Sequence, residues 1–81
     1  MQLHKIKEII LNFDPISDGK LDLEVLAIYC ESLLGFIVSV KLNGVNIVVS
    51  SKREPKRVFK SIDGLRKTLN ENSINTFTVA G

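Results

Sequence analysis

Apolar residues recur every three or four positions at the start of the chain. Leu3, Ile6, Ile9, Ile10 and Phe13 fall on one side of a helix over residues 2–13. Lys5, Lys7, Glu8 and Asn12 fall on the other. Asp14-Pro15 ends that helix, because a residue before proline is pushed out of the helical region. A loop, DPISDGK, follows, with Asp18-Gly19 as its turn pair. Residues 22–34, DLEVLAIYCESLL, are apolar nearly all round. LDLEV alternates and admits a strand over 21–29. Ala27, Glu31 and Leu33-Leu34 favour a second helix instead, with Asp22 as N-cap and Gly35 as the left-handed C-terminal cap. One short domain does not cover such a helix fully. Val25, Ile28 and Tyr29 are therefore expected to form a self-association surface.

The next pattern is a period of two. FIVSVKL and VNIVVSS flank Asn43-Gly44. Asn-Gly between two β-branched runs predicts a hairpin, because a type I′ turn needs positive φ at both central residues. A two-residue loop pairs Leu42 with Val45, Val40 with Ile47 and Val38 with Val49, all on one face with Phe36. Lys41 pairs with Asn46 and Ser39 with Val48 on the other. A charged loop ending at Pro55 leads to a third strand at about 56–60, KRVFK. Ser61 then caps a helix whose narrow apolar stripe is Ile62, Leu65 and Leu69, with Asp63 in its first turn. Gly64 costs about 1 kcal/mol relative to alanine in a helix interior; a close approach of helix to sheet would explain it. Asn70 or Asn72 ends the helix. A last strand at 73–79, SINTFTV, turns Phe77 and Val79 to the core.

The assembled expectation is one α+β domain over residues 1–81, in the order α-α-β-β-β-α-β. Two N-terminal helices precede an antiparallel three-stranded meander, a helix and a final strand, with the helices packed on one face of the sheet. A final strand beside the third strand would be parallel to it.

Eighty-one residues that are 44% hydrophobic and 25% charged make an ordinary globular composition. The single cysteine, Cys30, excludes an internal disulfide. No apolar run approaches a membrane span or the core of a signal peptide, so a soluble cytoplasmic protein is expected. The net charge of +2 is small, but it is unevenly placed. Residues 52–81 hold seven bases against three acids, for +4. Residues 1–51 hold four bases against six acids, for −2.

Catalytic chemistry finds little in this composition. His4 is the one histidine, placed on the polar start of the first helix. Cys30 lies among apolar residues, where a thiol is inert. The isolated glycines make no phosphate loop, and no Cys/His cluster has zinc spacing. Asp14, Asp18 and Gly19 approach a calcium-loop pattern, but Val25 stands where the bidentate acid belongs. No enzyme, metal or other cofactor is expected. The remaining candidate is the basic set Lys41, Lys52, Arg53, Lys56, Arg57 and Lys60. If Phe59 points inward, Lys56 and Lys60 point out beside Lys41 and make the open sheet face basic. Such a face can neutralise phosphates. The plain alternative is a charged edge strand that prevents aggregation.

The run from Arg57 to Leu65, with Leu69, Phe77 and Val79, resembles the C-terminal part of short uncharacterised proteins carried on bacterial plasmids and integrating elements. The resemblance covers the last third of the chain and implies a mobile-element accessory protein. A three-stranded meander followed by Phe59-Lys60-Ser61 is similar to the arm-binding domain of phage-type integrases, which reads DNA with its sheet. It implies Lys41, Lys56 and Lys60 as contacts, although the two N-terminal helices and the last strand lie outside that module. Double-stranded-RNA-binding domains share a helix-sheet-helix order. Their basic run at the second helix is replaced here by Ser61-Ile62-Asp63-Gly64. The expected function is nucleic-acid contact by a small regulatory protein. The alternative is a protein-protein adaptor that dimerises through the second helix or a sheet edge.

Overall fold

Asn43 and Gly44 both take positive φ, 49° and 86°, and close the hairpin that their sequence predicts. β2 (Gly35–Leu42) and β3 (Val45–Val48) pair in the expected register, Leu42 with Val45 and Val40 with Ile47. The Val49 amide continues it by donating to the Val38 carbonyl at 2.9 Å. The computed structural model describes residues 1–14, 16 and 19–80. Within them the order is α1 (Leu3–Leu11), β1 (Leu23–Cys30), β2, β3, α2 (Ile62–Glu71) and β4 (Thr78–Ala80). The sheet runs β3-β2-β1-β4. β1 is antiparallel to β2 and parallel to β4.

The α-α-β-β-β-α-β expectation is therefore wrong in two elements, and the meander is built from other segments. Residues 23–30 are a central strand, not a second helix. β1 sets Val25 and Ala27 on the covered face and Leu26 and Ile28 on the open one, so its period is hidden in a nearly continuous apolar run. Val25, Ile28 and Tyr29 favour a pleated surface, and the adjacent FIVSVKL supplies a partner along the whole length. Asp22 is not a helix cap. Its amide donates to Asn43 Oδ1 at 3.0 Å and its carbonyl accepts from the Asn43 amide at 2.8 Å, tying the start of β1 to the hairpin turn. Gly35 opens β2, and the left-handed residue before it is Leu34, at φ 52°. The acid-rich turn at Pro15, Ser17 and Asp18 lies outside the described residues.

The strand expected at 56–60 is also absent. The sum rule of the β2–β3 register would place Ser51 opposite Phe36. Instead the chain leaves the sheet after Ser50 and returns to place Phe59 there, with hydrogen bonds of 2.7 and 2.8 Å in both directions between Phe36 and Phe59. Residues 50–58 are thus an excursion whose two ends rest on neighbouring positions of the β2 edge.

Both helices cover one face of the sheet. Leu3 and Ile6 of α1 and Leu65 and Leu69 of α2 are buried with Val25, Ala27, Val38, Val40, Val49, Phe59 and Ile74. α1 stops at Asn12, before the expected Asp14-Pro15. Ser61 caps α2 as expected, its Oγ accepting from the Gly64 amide at 3.1 Å. Gly64 is not there to admit the sheet, since an added Cβ would meet the capping Ser61 Oγ at 3.2 Å. At the other end, Ser73 adopts φ 66°, the Ile74 amide donates to Leu69 and the Ser73 amide to Asn70. These bonds satisfy the last carbonyls and lock Ile74 against Leu69 in the core. β4 is shorter than predicted and lies on β1, not beside a third strand. Val79, expected in the core, is exposed, while Phe77 is half-buried.

Candidate nucleic-acid interface

Phe59 is buried, 7% exposed, and its anchorage fixes the loop before it. The Arg57 amide donates to the Val49 carbonyl at 2.9 Å. The Arg57 guanidinium carbon lies 4.9 Å from the centroid of the Phe59 ring, a cation–π geometry. Within the loop, the Ser51 amide donates to the Glu54 carbonyl at 3.0 Å and the Glu54 amide returns a bond to Ser51 Oγ at 2.9 Å. The loop is tied at both ends and across its middle. Lys52, Arg53, Lys56 and Lys60 stand exposed on it.

The six predicted basic residues do not form one sheet face. The open face of the sheet, opposite the helices, carries the rows Asn46–Lys41–Glu24, Val48–Ser39–Leu26–Thr78 and Ile37–Ile28–Ala80. Its one cation, Lys41, sits directly across from Glu24, so the face mixes apolar and polar residues and is not basic. Lys41 is five residues along β2 from Phe36, about 17 Å at strand spacing, and so belongs to the far end from Phe59. The other five stay together on the 50–58 loop and its exit. Phe59 does point inward, but Lys56 and Lys60 flank the β1–β2 turn. Lys60 Nζ donates to the Leu33 carbonyl at 3.4 Å. Lys56 acts electrostatically on Cys30. The Ser32 hydroxyl, 3.2 Å from Cys30 Sγ, is the main influence holding that thiol below its ordinary range, assisted by the Leu33 backbone and Lys56 and opposed by desolvation.

On the other side of the loop, Lys52 and Arg57 line an open cleft of about 380 Å³ together with His4, Ser51 and Asn72. The cleft lies at the start of α1, where Gln2 makes no side-chain cap and the first turn holds no acid. In the sequence alone His4 is plain polar surface. No local pattern marks it, because its neighbours Lys52 and Arg57 are about fifty positions away in the chain. Among the described residues the ion pair found is Lys5–Glu8, at 3.9 Å on exposed α1; the loop cations have no carboxylate within that distance.

The residues expected to self-associate are separated by the strand geometry. Val25 is buried in the core, Ile28 lies on the open face, and Tyr29 packs edge-on to Phe36 with centroids 5.2 Å apart. No group of three or more His, Cys, Asp or Glu side chains among the described residues could hold a metal ion. No helix of the described residues is long and apolar enough to cross a membrane. No protein-family model, curated protein or solved structure matches this chain.

Proposed function

We propose that this chain is a small non-enzymatic accessory protein of the cytoplasm, of the mobile-element kind that its C-terminal third resembles. It contacts nucleic acid through the 50–58 loop rather than through the sheet. The observation that carries this reading is the anchored loop, which with its exit at Lys60 holds four exposed cations that have no carboxylate partner among the described residues. Cations presented this way neutralise backbone phosphates and release counterions, which gives affinity without base selectivity. A mobility-shift assay on random duplex across a salt series tests it. Engagement of all four cations gives a log–log salt slope of roughly −3 to −4. Reversing Lys56→Glu and Lys60→Glu together should flatten that slope by about 2. No shift at low salt, or a shift indifferent to salt, removes the reading.

A second reading has its own observation. The open sheet face is apolar at the Ile37–Ile28–Ala80 end and carries the Lys41–Glu24 pair at the other. Opposite charges on one face make it complementary to itself, since Glu24 of one copy can meet Lys41 of another across a two-fold axis. The occupant of this face is then a second copy of the chain. On this reading the interface is the open face, since residues 23–30 form a strand and not a helix. Sedimentation over a concentration series should show a dimer that Ile28→Lys converts to monomer. A wild-type chain that stays monomeric at high concentration ends this reading.

A further inference from the structure

We infer that the cleft between the start of α1 and the 50–58 loop seats a phosphoryl group, with Arg57, Lys52 and His4 as its ligands. The choice of ligand rests on the nucleic-acid reading above, and the inference adds where a phosphate sits and what holds it.

Three features carry it. The first is convergence: Lys52 and Arg57 come from the loop and His4 from α1, and they meet in one concavity that no Asp or Glu among the described residues lines. A cleft with cations and no acid selects an anion. The second is preorganisation. Arg57 is half-buried, its amide is bound to Val49, and its guanidinium is stacked on the buried Phe59 ring. The fork is therefore held before a ligand arrives, and a planar guanidinium matches two oxygens of a phosphoryl group better than a mobile ammonium does. The third is donor supply. Ser51 Oγ already accepts from the Glu54 amide, which leaves its O–H to donate into the cleft. The uncapped start of α1 adds to the field of the three side chains. A tetrahedral anion with several oxygens uses these donors more fully than a single carboxylate would. The exposed Lys56 and Lys60 lie on the other side of the loop and take no part, so the cleft and the loop surface can be tested separately.

Inorganic phosphate is titrated into the full chain at constant ionic strength while backbone amide shifts are followed by NMR. Saturable shifts confined to His4, Ser51, Lys52 and Arg57 are expected, with sulfate competing. Arg57→Lys keeps the charge and loses the fork, and should weaken phosphate by about tenfold. Lys52→Ala and His4→Ala alter exposed positions, so they test the cleft even if a change at Arg57 disturbs the Phe59 stack. Each should weaken phosphate several-fold while leaving the spectrum of the free protein intact. Shifts that rise linearly, spread over Arg53, Lys56 and Lys60, or survive the Lys52→Ala/His4→Ala double variant overturn the site. Duplex binding by the wild-type chain and by His4→Ala, which keeps every loop cation, separates the two proposals. If duplex still binds with its full salt slope but phosphate is not seated, the cleft is lost and the loop reading stands. If phosphate seats locally but duplex does not bind, the loop reading fails and the cleft serves a smaller phosphorylated ligand.

Discussion

Gly35→Ala is expected to destabilise the protein by about 2–4 kcal/mol, although it adds a single methyl group. The added Cβ would lie 2.6 Å from Val58 Cγ1 and 2.7 Å from the Phe59 carbonyl oxygen. Val58 could rotate, but the carbonyl is backbone. It already accepts from the Phe36 amide at 2.7 Å. Relief requires the returning chain to move off β2, which breaks that bond and its reciprocal from Phe59 to Phe36 and lifts Phe59 from the core. Overpacking and lost backbone bonds therefore add. For a domain of this size the loss corresponds to a melting midpoint lower by roughly 10–25 °C. Gly44→Ala is the control. No atom lies within 4 Å of its added Cβ, and only the positive φ of 86° opposes it, for a cost of about 1 kcal/mol. If the two substitutions cost the same in thermal denaturation, the close passage of the loop over Gly35 is not a determinant of stability.

Leu69→Ala should cost about 2–5 kcal/mol, the range for truncating a fully buried leucine. Leu69 is 0% exposed and lies where α2 meets the sheet, against Ile74 from the turn that follows. Its carbonyl still accepts from the Ile74 amide in the variant, so the helix end stays closed and the space left cannot be filled by local collapse. A chain of 81 residues has a total stability of about 4–12 kcal/mol, so this one change removes much of it. Urea unfolding should show a lower midpoint with an unchanged slope. Leu11→Ala, at a leucine 63% exposed on α1, should stay within about 0.5 kcal/mol of wild type. Equal effects at the two leucines would be incompatible with the core as described.

The parts of this fold that were legible in the sequence are those fixed by local chemistry. Asn43-Gly44 dictates its turn and hence the β2–β3 register. Ser61 caps α2, and the stripe of Leu65 and Leu69 finds the core. The parts that were not legible depend on partners distant in the chain. β1 reads as a helix because Leu26 and Ile28 on its open face interrupt the alternation set by Val25 and Ala27, and the sheet that resolves the ambiguity is formed with β2 and β4. KRVFK reads as a strand because Val58 and Phe59 suit one, yet only Phe59 reaches the β2 edge. The candidate site was half legible. The charge asymmetry points to the segment on which five of the six cations lie together. It could not separate Lys41, at the far end of β2, or bring His4 to Arg57, because neither relation is expressed in spacing along the chain.

The return of Phe59 to the β2 edge has a consequence for how such a chain can change over generations. The departure and return points of residues 50–58 are adjacent on one rigid strand, so the distance between them does not depend on what lies between. Residues can be gained or lost there without shifting the sheet register or disturbing the core. Doubling the length of a loop between fixed ends costs only about 0.6 kcal/mol in closure entropy where the added residues are flexible. The scaffold is thus decoupled from its most charged segment. That segment can diverge quickly in length and composition while the frame that carries it stays the same.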